Sequence, residues 1–437
     1  MSSMFLGMGI DCSSAAGQTI VPVPMDFGWT PPFTVFKAGD EYYTDYDPED
    51  VVPTTTNTYW VDVATGSDAN PGTEIAPFKS IYQAVHNRSQ HILVYVKPGL
   101  YRGNDSWRAG IAGTSGGNFN VVVRRWGSSG KIVSSLDLGD LVWSLNSGSV
   151  WQATVAGVSG SRVVDSSVPD TNGNGVVLVN QTSIANVEAN PGSSHYASNV
   201  VYVRTLDSRQ PDANIRAYSS NTNGQFRGAT LWVEHCEFLG GNYAFLSRNF
   251  ALTDQKSYFT DCKFLYALQA AGGVQMQNAV EAVFLRCEAS NNETDGFKYI
   301  SDGGVYFVNY AEIECRACNA GIHNTTNISN GSSSHDGCKG VRINGIYSGS
   351  RGRPIHDITG NRSWLLGCIS GPASSLVDVP SRAAFACGSG TDASKMWLDG
   401  CTSLSAEKDC EASATAEIYT RDLTRTANSD TGTITAY

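Results

Sequence analysis

Two different hydrophobic patterns follow one another in residues 59–85. Apolar residues alternate through 59–63, which predicts a strand with one buried face. Residues 66–72 are rich in Gly, Asp, Asn and Pro, as expected of a turn. Apolar residues then recur at helical spacing through 78–85, with Pro77 at the predicted helix start. This helix has one apolar face and therefore needs a surface to cover.

After this helix, the apolar residues are arranged mainly as short strands. Residues 92–96 and 121–123 are early examples, and beyond residue 228 a strand-like unit repeats visibly. Each copy has a cysteine, or once a glycine, at the same place: Cys236, Cys262, Cys287, Cys315, Gly345, Cys368 and Cys401. Successive positions are 23 to 33 residues apart, a period that indicates a solenoid.

The repeating units predict an all-β parallel β-helix. Each turn stacks on the previous one by parallel strand pairing, at ~4.8 Å per turn, and loops of different length leave the stack undisturbed. The open end of such a coil exposes unpaired strand edges. We therefore interpret the helix at 77–86 as a cap on the first turn.

The first of these segments also resembles a known superfamily. The sequence GSDANPG at 66–72, followed by PFKSI and a helix, is similar to the opening segment of right-handed parallel β-helix (pectate-lyase-like) proteins. That superfamily includes pectate lyases, related polysaccharide-active enzymes and bacteriophage tailspikes. The resemblance implies a right-handed coil with an N-terminal capping helix and a small β insertion.

Composition divides the chain into five regions. Residues 1–56 are rich in Pro, Thr and Asp and are interpreted as an arm or linker, which in a tailspike would attach to the virion and otherwise would be a disordered leader. Residues 57–135 are the capped start of the coil. Residues 136–227 lack the repeat and are either a β-rich insertion or irregular rungs. Residues 228–405 form the body, and 406–437 a C-terminal tail.

Charge and cysteine usage restrict the possible partners. The net charge of −11 argues against nucleic-acid binding, which relies on cationic contacts to phosphate. We expect no membrane insertion and no secretory leader, because no long apolar stretch or basic N-terminal region is present. Ten of the eleven cysteines lie after residue 235, and we expect them to be free thiols filling a narrow interior in a cytoplasmically assembled protein.

Candidate chemistry lies on a line eight residues after the repeated position. Asp295, His323 and Arg353 fall on this line, and a constant register predicts them as neighbours on successive turns. Lys298 and His356 lie three residues further along the first and last of these turns. Such neighbours are close enough to shift one another's pKa.

Two local resemblances add to this line. The word DGFK at 295–298 is similar to one in a family of β-helix pectate lyases, which implies that Lys298 abstracts a proton. The preceding turn lacks the aspartates that hold calcium in that family, so no cofactor is predicted. Residues 327–368 resemble a segment of phage tail proteins with a β-helix body, and this segment supplies His335, Asp336 and Arg351.

The predicted site therefore has two groups of residues. The predicted catalytic residues are Asp295, Lys298, His323, Asp336 and Arg353. The predicted substrate-binding residues are Glu293, Tyr299, His335, Arg351, His356, Asp357 and Trp364. Asp295 and Asp336 also fit a purely structural role in tight turns. Paired carboxylates suit a glycosidase and Lys298 with an arginine suits a lyase, and the sequence does not distinguish them.

The combined hypothesis is a bacteriophage tailspike that binds, and cleaves, a bacterial surface polysaccharide such as capsule, exopolysaccharide or O-antigen. By resemblance it would be a homotrimer, located in the virion tail and attached to a tail or baseplate protein through its N-terminal arm. A spike that only adheres to its receptor and a free bacterial polysaccharide lyase are the alternatives.

Overall fold

The computed structural model describes residues 17–86, 90–108, 118–155, 161–248, 254–268, 272–301, 307–322, 328–372, 383–389, 393–405 and 407–437. Over these ranges the chain winds into a right-handed parallel β-helix, which confirms the predicted fold. Three long walls, named sheets 1, 2 and 3, are visited in that order on each turn. No helix in these ranges is long and apolar enough to cross a membrane.

Sheet 1 is the longest wall, with twelve parallel strands. Its strands are Asn57–Val61, Ile92–Val96, Asn120–Arg125, Thr230–Glu234, Lys256–Thr260, Glu281–Leu285, Asn309–Ile313, Lys339–Ile343, Arg362–Leu366, Lys395–Asp399, Glu417–Arg421 and Thr433–Ala436. Pairing is in register from one turn to the next across the body, so equivalent side chains stack in rows along the coil axis.

Sheets 2 and 3 complete each turn. Sheet 2 has two four-stranded parts joined through single bridges at Glu288. Its strands are Gly99–Arg102, Ile132–Ser135, Cys236–Leu239, Lys263–Leu265, Arg316–Cys318, Ile346–Ser348, Ile369–Ser370 and Thr402–Ser403. Sheet 3 comprises Gly224–Phe226, Phe245–Arg248, Val274–Gln277, Phe297–Ile300, Ser332–Ser334, Ile355–Asp357, Ala383–Cys387, Lys408–Ala412 and Asp430–Thr431.

The corner between sheets 1 and 2 explains the repeated cysteine. A residue with positive φ ends each sheet 1 strand from Thr230–Glu234 to Glu417–Arg421: His235, Asp261, Arg286, Glu314, Asn344, Gly367, Gly400 and Asp422. The next residue points into the coil, and in six of these eight turns it is a cysteine, with Gly345 and Leu423 in the other two. The ten described cysteines are free and buried, as predicted.

The thiols also form hydrogen bonds inside the coil. In Cys287, Sγ donates to the carbonyl oxygens of Phe259 and Leu285, both at 3.4 Å. Burial raises the pKa of this thiol well above its ordinary value. The cysteines therefore act as weak donors to sheet 1 carbonyls as well as small apolar fillers.

The capping helix is present but shorter than the sequence pattern predicts. It spans Ile81–Val85, and Ser80 caps it by accepting a hydrogen bond from the backbone N–H of Gln83. Pro77 lies in the preceding turn instead of starting the helix. The reason is Asp68, whose carboxylate accepts from the backbone N–H of Ser80 and holds the approach to the helix extended.

A separate β unit projects beside the first turns. Its strands pair with one another and add no rung to the three walls. One sheet contains Ser144–Ser147, Val150–Thr154, Val179–Asn180, Ser193–Ala197 and Val200–Arg204, and the other contains Ser161–Pro169, Gly175–Val177 and Ile215–Ser219. Helix Ile184–Ala189 packs on the first sheet.

The N-terminal arm lies across the outer face of sheet 1. It contains the antiparallel strands Thr19–Ile20, Val35–Ala38 and Glu41–Thr44 and the 3-10 helix Pro48–Val51, and a second 3-10 helix, Gly103–Asp105, lies near the cap. Phe27 of the arm is fully buried and packs edge-on against Trp364, with ring centroids 6.2 Å apart.

Polar contacts hold the arm along most of the coil. Tyr42 donates to Asp399 Oδ1 at 2.8 Å near the last turns, and Trp232 near the first turns donates to the carbonyl of Pro48 at 2.9 Å. Residues 17–56 are therefore packed against the coil and are neither a free linker nor a disordered leader. Residues 1–16 lie outside the described residues.

Candidate functional site

The candidate site lies on the outer face of sheet 3. Because side chains alternate along each strand, one residue per turn from this sheet points outward and forms a row along the axis. In the body this row is Gln275, Lys298, Ser333, His356, Ala386 and Glu411. Lys298 and His356 are thus two turns apart on one face, as predicted from their spacing.

Asp295 and Lys298 form the centre of this face. Lys298 Nζ is 3.6 Å from Asp295 Oδ2, and Ser333 Oγ donates to the same oxygen at 2.8 Å. The other oxygen of Asp295 accepts from the backbone N–H of Asn330 at 2.8 Å. Asp295 is only 5% exposed, and each of these contacts is a donor or a cation. This carboxylate is well placed to position Lys298 and poorly placed to reach a substrate.

The predicted line of Asp295, His323 and Arg353 requires a correction. Asn330 occupies the place on the middle turn, where it binds Asp295 and accepts from the backbone N–H of Arg353 at 3.2 Å. The loop on that turn is longer than its neighbours, so counting a constant eight residues missed Asn330. His323 itself lies outside the described residues.

Arg353 is paired with a residue that the sequence analysis missed. Its Nε and Nη2 each lie 2.9 Å from Glu411 Oε2, and Lys408 Nζ is 3.7 Å from the other oxygen of that carboxylate. Glu411 belongs to the outward row, two turns beyond His356. Strand register is the signal that would have found Glu411, because it aligns this residue with His356 and Ala386.

Two histidines on this face are neutral at neutral pH. Burial lowers the pKa of His335; the charge of Asp295 opposes this shift, and that of Lys298 adds to it. Burial, followed by the charge of Arg353, lowers the pKa of His356 to about 4. Both imidazoles therefore keep an unprotonated ring nitrogen at neutral pH, and His335 stands in the electrostatic field of the Asp295–Lys298 pair.

Three residues that were predicted to bind substrate lie inside the protein, so the prediction is wrong for them. Side chains alternate along strand Phe297–Ile300, so Tyr299 points into the coil when Lys298 points outward, and the tyrosine is 0% exposed. Asp357 is fully buried and bonded to Arg342. Trp364 is on sheet 1 and covered by the arm. As placed, none of them contacts a molecule on the outer surface.

Three further predicted residues flank the face. Asp336 follows His335 just beyond strand Ser332–Ser334 and has φ of 61°, as in a tight corner, which fits the turn interpretation of this residue. Arg351 is largely buried in the loop before Arg353. Glu293, two residues before Asp295, is 40% exposed and lies 4.0 Å from Arg162 of the β unit. The catalytic and binding roles of these residues remain predictions.

The chemistry of this face is that of a base beside a cation. A neutral imidazole at His335 and the ammonium of Lys298 suit proton abstraction next to a carboxylate. Retaining and inverting glycosidases instead need two accessible carboxylates flanking the bond. Here Asp295 is enclosed, Asp357 is internal and Glu411 is paired with Arg353. Among the described residues, no group of three or more His, Cys, Asp or Glu is arranged to hold a metal ion.

Comparison with known proteins supports the fold. No protein-family model and no curated protein sequence matches the chain. A glycoside hydrolase structure is similar over 87% of this chain and 96% of its own, at 11% identity and a TM-score of 0.52. The structure of XylC with xylose is similar over 84% of this chain and 70% of its own, at 8% identity and a TM-score of 0.53.

A phage protein is a more distant structural neighbour. The tailspike protein gp49 from Pseudomonas phage LKA1 aligns over 76% of this chain and 72% of its own, at 12% identity and a TM-score of 0.26. At such identities the likenesses show the parallel β-helix fold alone. The two structures with TM-scores above 0.5, a glycoside hydrolase and XylC, are the ones that support the fold.

Proposed function

We propose that this protein binds an acidic polysaccharide along the outer face of sheet 3 and cleaves it by β-elimination. The observation that carries the proposal is the placement of neutral His335 beside the Asp295–Lys298 pair. A row of polar side chains spaced at the rise of the coil suits an extended chain that lies along the axis.

In the proposed reaction His335 removes the proton on the carbon next to a uronate carboxylate. Lys298 neutralises that carboxylate and the enolate that forms. The electron pair then makes a carbon–carbon double bond as the glycosidic carbon–oxygen bond breaks, and the imidazolium of His335 returns the proton to the departing oxygen. Asp295 positions Lys298, and Arg353 binds a neighbouring acidic unit after exchanging its contact with Glu411.

Incubation with a panel of bacterial surface polysaccharides, with and without uronates, tests this proposal. We expect oligosaccharides that carry the ultraviolet absorbance of an unsaturated uronate. New reducing ends without that absorbance would show that the bond is hydrolysed and would contradict elimination. Polysaccharide that is bound but never cleaved would favour an adhesive spike.

We further propose that the setting is a phage tail, with the chain acting as a tailspike. The resemblance of residues 327–368 to phage tail proteins supports this over a free bacterial lyase. The expected assembly is a homotrimer attached to a tail or baseplate protein through the N-terminal segment. Sedimentation of the purified chain and antibody labelling of phage particles test it, and a strictly monomeric protein absent from virions would contradict it.

A further inference from the structure

A small pocket lies where the β unit meets the coil, next to Glu293. Its volume is about 60 Å³, its apolar wall consists of Val163, Val177 and Leu178, and Asn180 and Ser194 line its edge. Arg162 and Glu293 provide its charged groups. This volume exceeds the space of a single water and suits a small substituent of a larger ligand.

Arg162 is unusual because it is buried with unused donors. The residue is 7% exposed, and its Nη1 donates to the carbonyl of Ala267 at 2.7 Å. Its Nε and Nη2 have no hydrogen-bond partner among the described residues. Buried N–H groups of a charged side chain are costly when unsatisfied, so this guanidinium is arranged to meet an acceptor that enters the pocket.

Ala267 fixes Arg162 and Glu293 relative to each other. The carbonyl that accepts from Arg162 also accepts from the backbone N–H of Glu293 at 2.9 Å. The Glu293 carboxylate consequently stands 4.0 Å from Arg162 and is 40% exposed. A guest thus meets a donor, an acceptor and an apolar wall within one small space.

These three features distinguish between possible guests. A carboxylate would be repelled by Glu293, and a hydroxyl would satisfy the polar groups but leave the apolar wall uncovered. An acetamido group satisfies all three, because its oxygen accepts from Arg162, its N–H donates to Glu293 and its methyl packs on Val163 and Val177. We propose that this pocket is a subsite for the acetamido group of an N-acetylated sugar.

This inference rests on the proposed function and deepens it. Glu293 is two residues from Asp295, so the pocket adjoins the cleavage site. The substrate class becomes a polysaccharide that combines uronate and N-acetylated units. The β unit then contributes to specificity through Arg162.

Binding of N-acetylglucosamine and of glucose to the full chain provides the test, because these probes differ only at the 2-position. Saturation-transfer NMR should show the strongest transfer to the acetyl methyl, with affinity at least about 10-fold higher than for glucose. Arg162→Leu should abolish this preference, and since it removes unsatisfied buried donors it should not impair folding. Arg316→Leu, on the outer face of sheet 2, is the matched control and should leave the preference unchanged.

Equal binding of the two sugars, or an undiminished preference in Arg162→Leu, would overturn the inference. A crystal soaked in N-acetylglucosamine that holds only water in the pocket would do the same. If wild-type protein cleaves a polysaccharide without acetamido selectivity, this inference alone fails. If it selects N-acetylglucosamine but binds no polysaccharide, the proposed function fails instead.

Discussion

Arg342 and Asp357 form a two-pronged ion pair inside the coil, with Nη1–Oδ2 at 2.7 Å and Nη2–Oδ1 at 2.9 Å. Glu312, on the turn before Arg342, lies 3.4 Å from its Nε. Burial by itself would raise the pKa of Asp357, but Arg342 lowers it below its ordinary value. Glu312 and Arg342 belong to one inward row of sheet 1, which continues with Phe284 on one side and Leu365 on the other. These charges therefore interrupt an otherwise apolar interior.

The first prediction is that Asp357→Ala destabilises the coil severely. Removing one partner leaves Arg342 buried without sufficient compensation, which costs about 3–5 kcal/mol. The midpoint of thermal or denaturant unfolding measures the effect. Asp140→Ala is the control, because this carboxylate is 70% exposed in its pair with Arg216 and its loss should shift the midpoint little. Similar midpoints for the two variants would contradict the assignment of Asp357 to the interior network.

The second prediction concerns pH and His356. Its pKa is about 4 in the folded protein and ~6.5 when unfolded, so between these values the unfolded chain binds the proton and the folded one does not. Stability should therefore fall as the pH falls from ~6.5 to 4. His356→Gln should reduce this loss by about 3 kcal/mol. Unfolding midpoints of both proteins at several pH values measure the difference, and parallel curves would show that His356 does not titrate in this way.

The repeated architecture was predictable because each turn imposes the same steric demand. Most corners after sheet 1 are followed by a small inward residue, and this preference is visible as Cys287 or Gly345 once per turn. The two-turn spacing of Lys298 and His356 followed from the same periodicity. Strand alternation would also have directed Tyr299 inward once Lys298 was taken as outward.

The site was less predictable because its loops have unequal lengths. A constant count reached His323, whereas hydrogen bonding places Asn330 between Asp295 and Arg353. The arm itself was predicted, but its packing on sheet 1 was not, for a different reason. Trp364 was predicted to bind substrate, but an aromatic residue on the outer face of a strand can also be covered by a segment of the same chain.

The third prediction concerns the cysteines. The described thiols are buried, so in the native protein a thiol reagent should reach them extremely slowly, and in denaturant without reductant all ten should react. Cys12 lies outside the described residues and is replaced by Ser for this measurement. Cys287→Ser should cost only about 1 kcal/mol, because Phe259 and Leu285 supply acceptors for its hydroxyl. Native disulfides between residues 236 and 410 would contradict the ladder of free thiols.

The fourth prediction is that Phe27→Ala loosens the arm. Phe27 packs between Trp364 and Trp397, and truncation of such a buried ring costs about 3–5 kcal/mol. We expect faster proteolysis within residues 17–56 and a red-shifted tryptophan emission, while the cleavage proposed for sheet 3 is unchanged. Met25→Ala is the control, because Met25 is highly exposed. Unchanged proteolysis in Phe27→Ala would show that the arm is held by its polar contacts instead.

The last prediction separates the roles of His335, Lys298 and Asp295 in cleavage. His335→Gln and Lys298→Ala should each lower kcat by about 100-fold or more. The first removes the proposed general base, and the second removes the cation that stabilises the enolate. Asp295→Asn should mainly misplace Lys298, so a smaller loss is expected with KM little changed.

In the wild type the rate should decline as acid protonates His335, at a pH below the ordinary histidine range because its pKa is lowered. That acidic decline should vanish in the residual activity of His335→Gln. Arg316→Ala, a cation on sheet 2 away from this face, should cleave at the wild-type rate. Full activity in His335→Gln and Lys298→Ala, measured on a polysaccharide that the wild type cleaves, would remove both residues from the mechanism and move the search for the catalytic groups elsewhere on the coil.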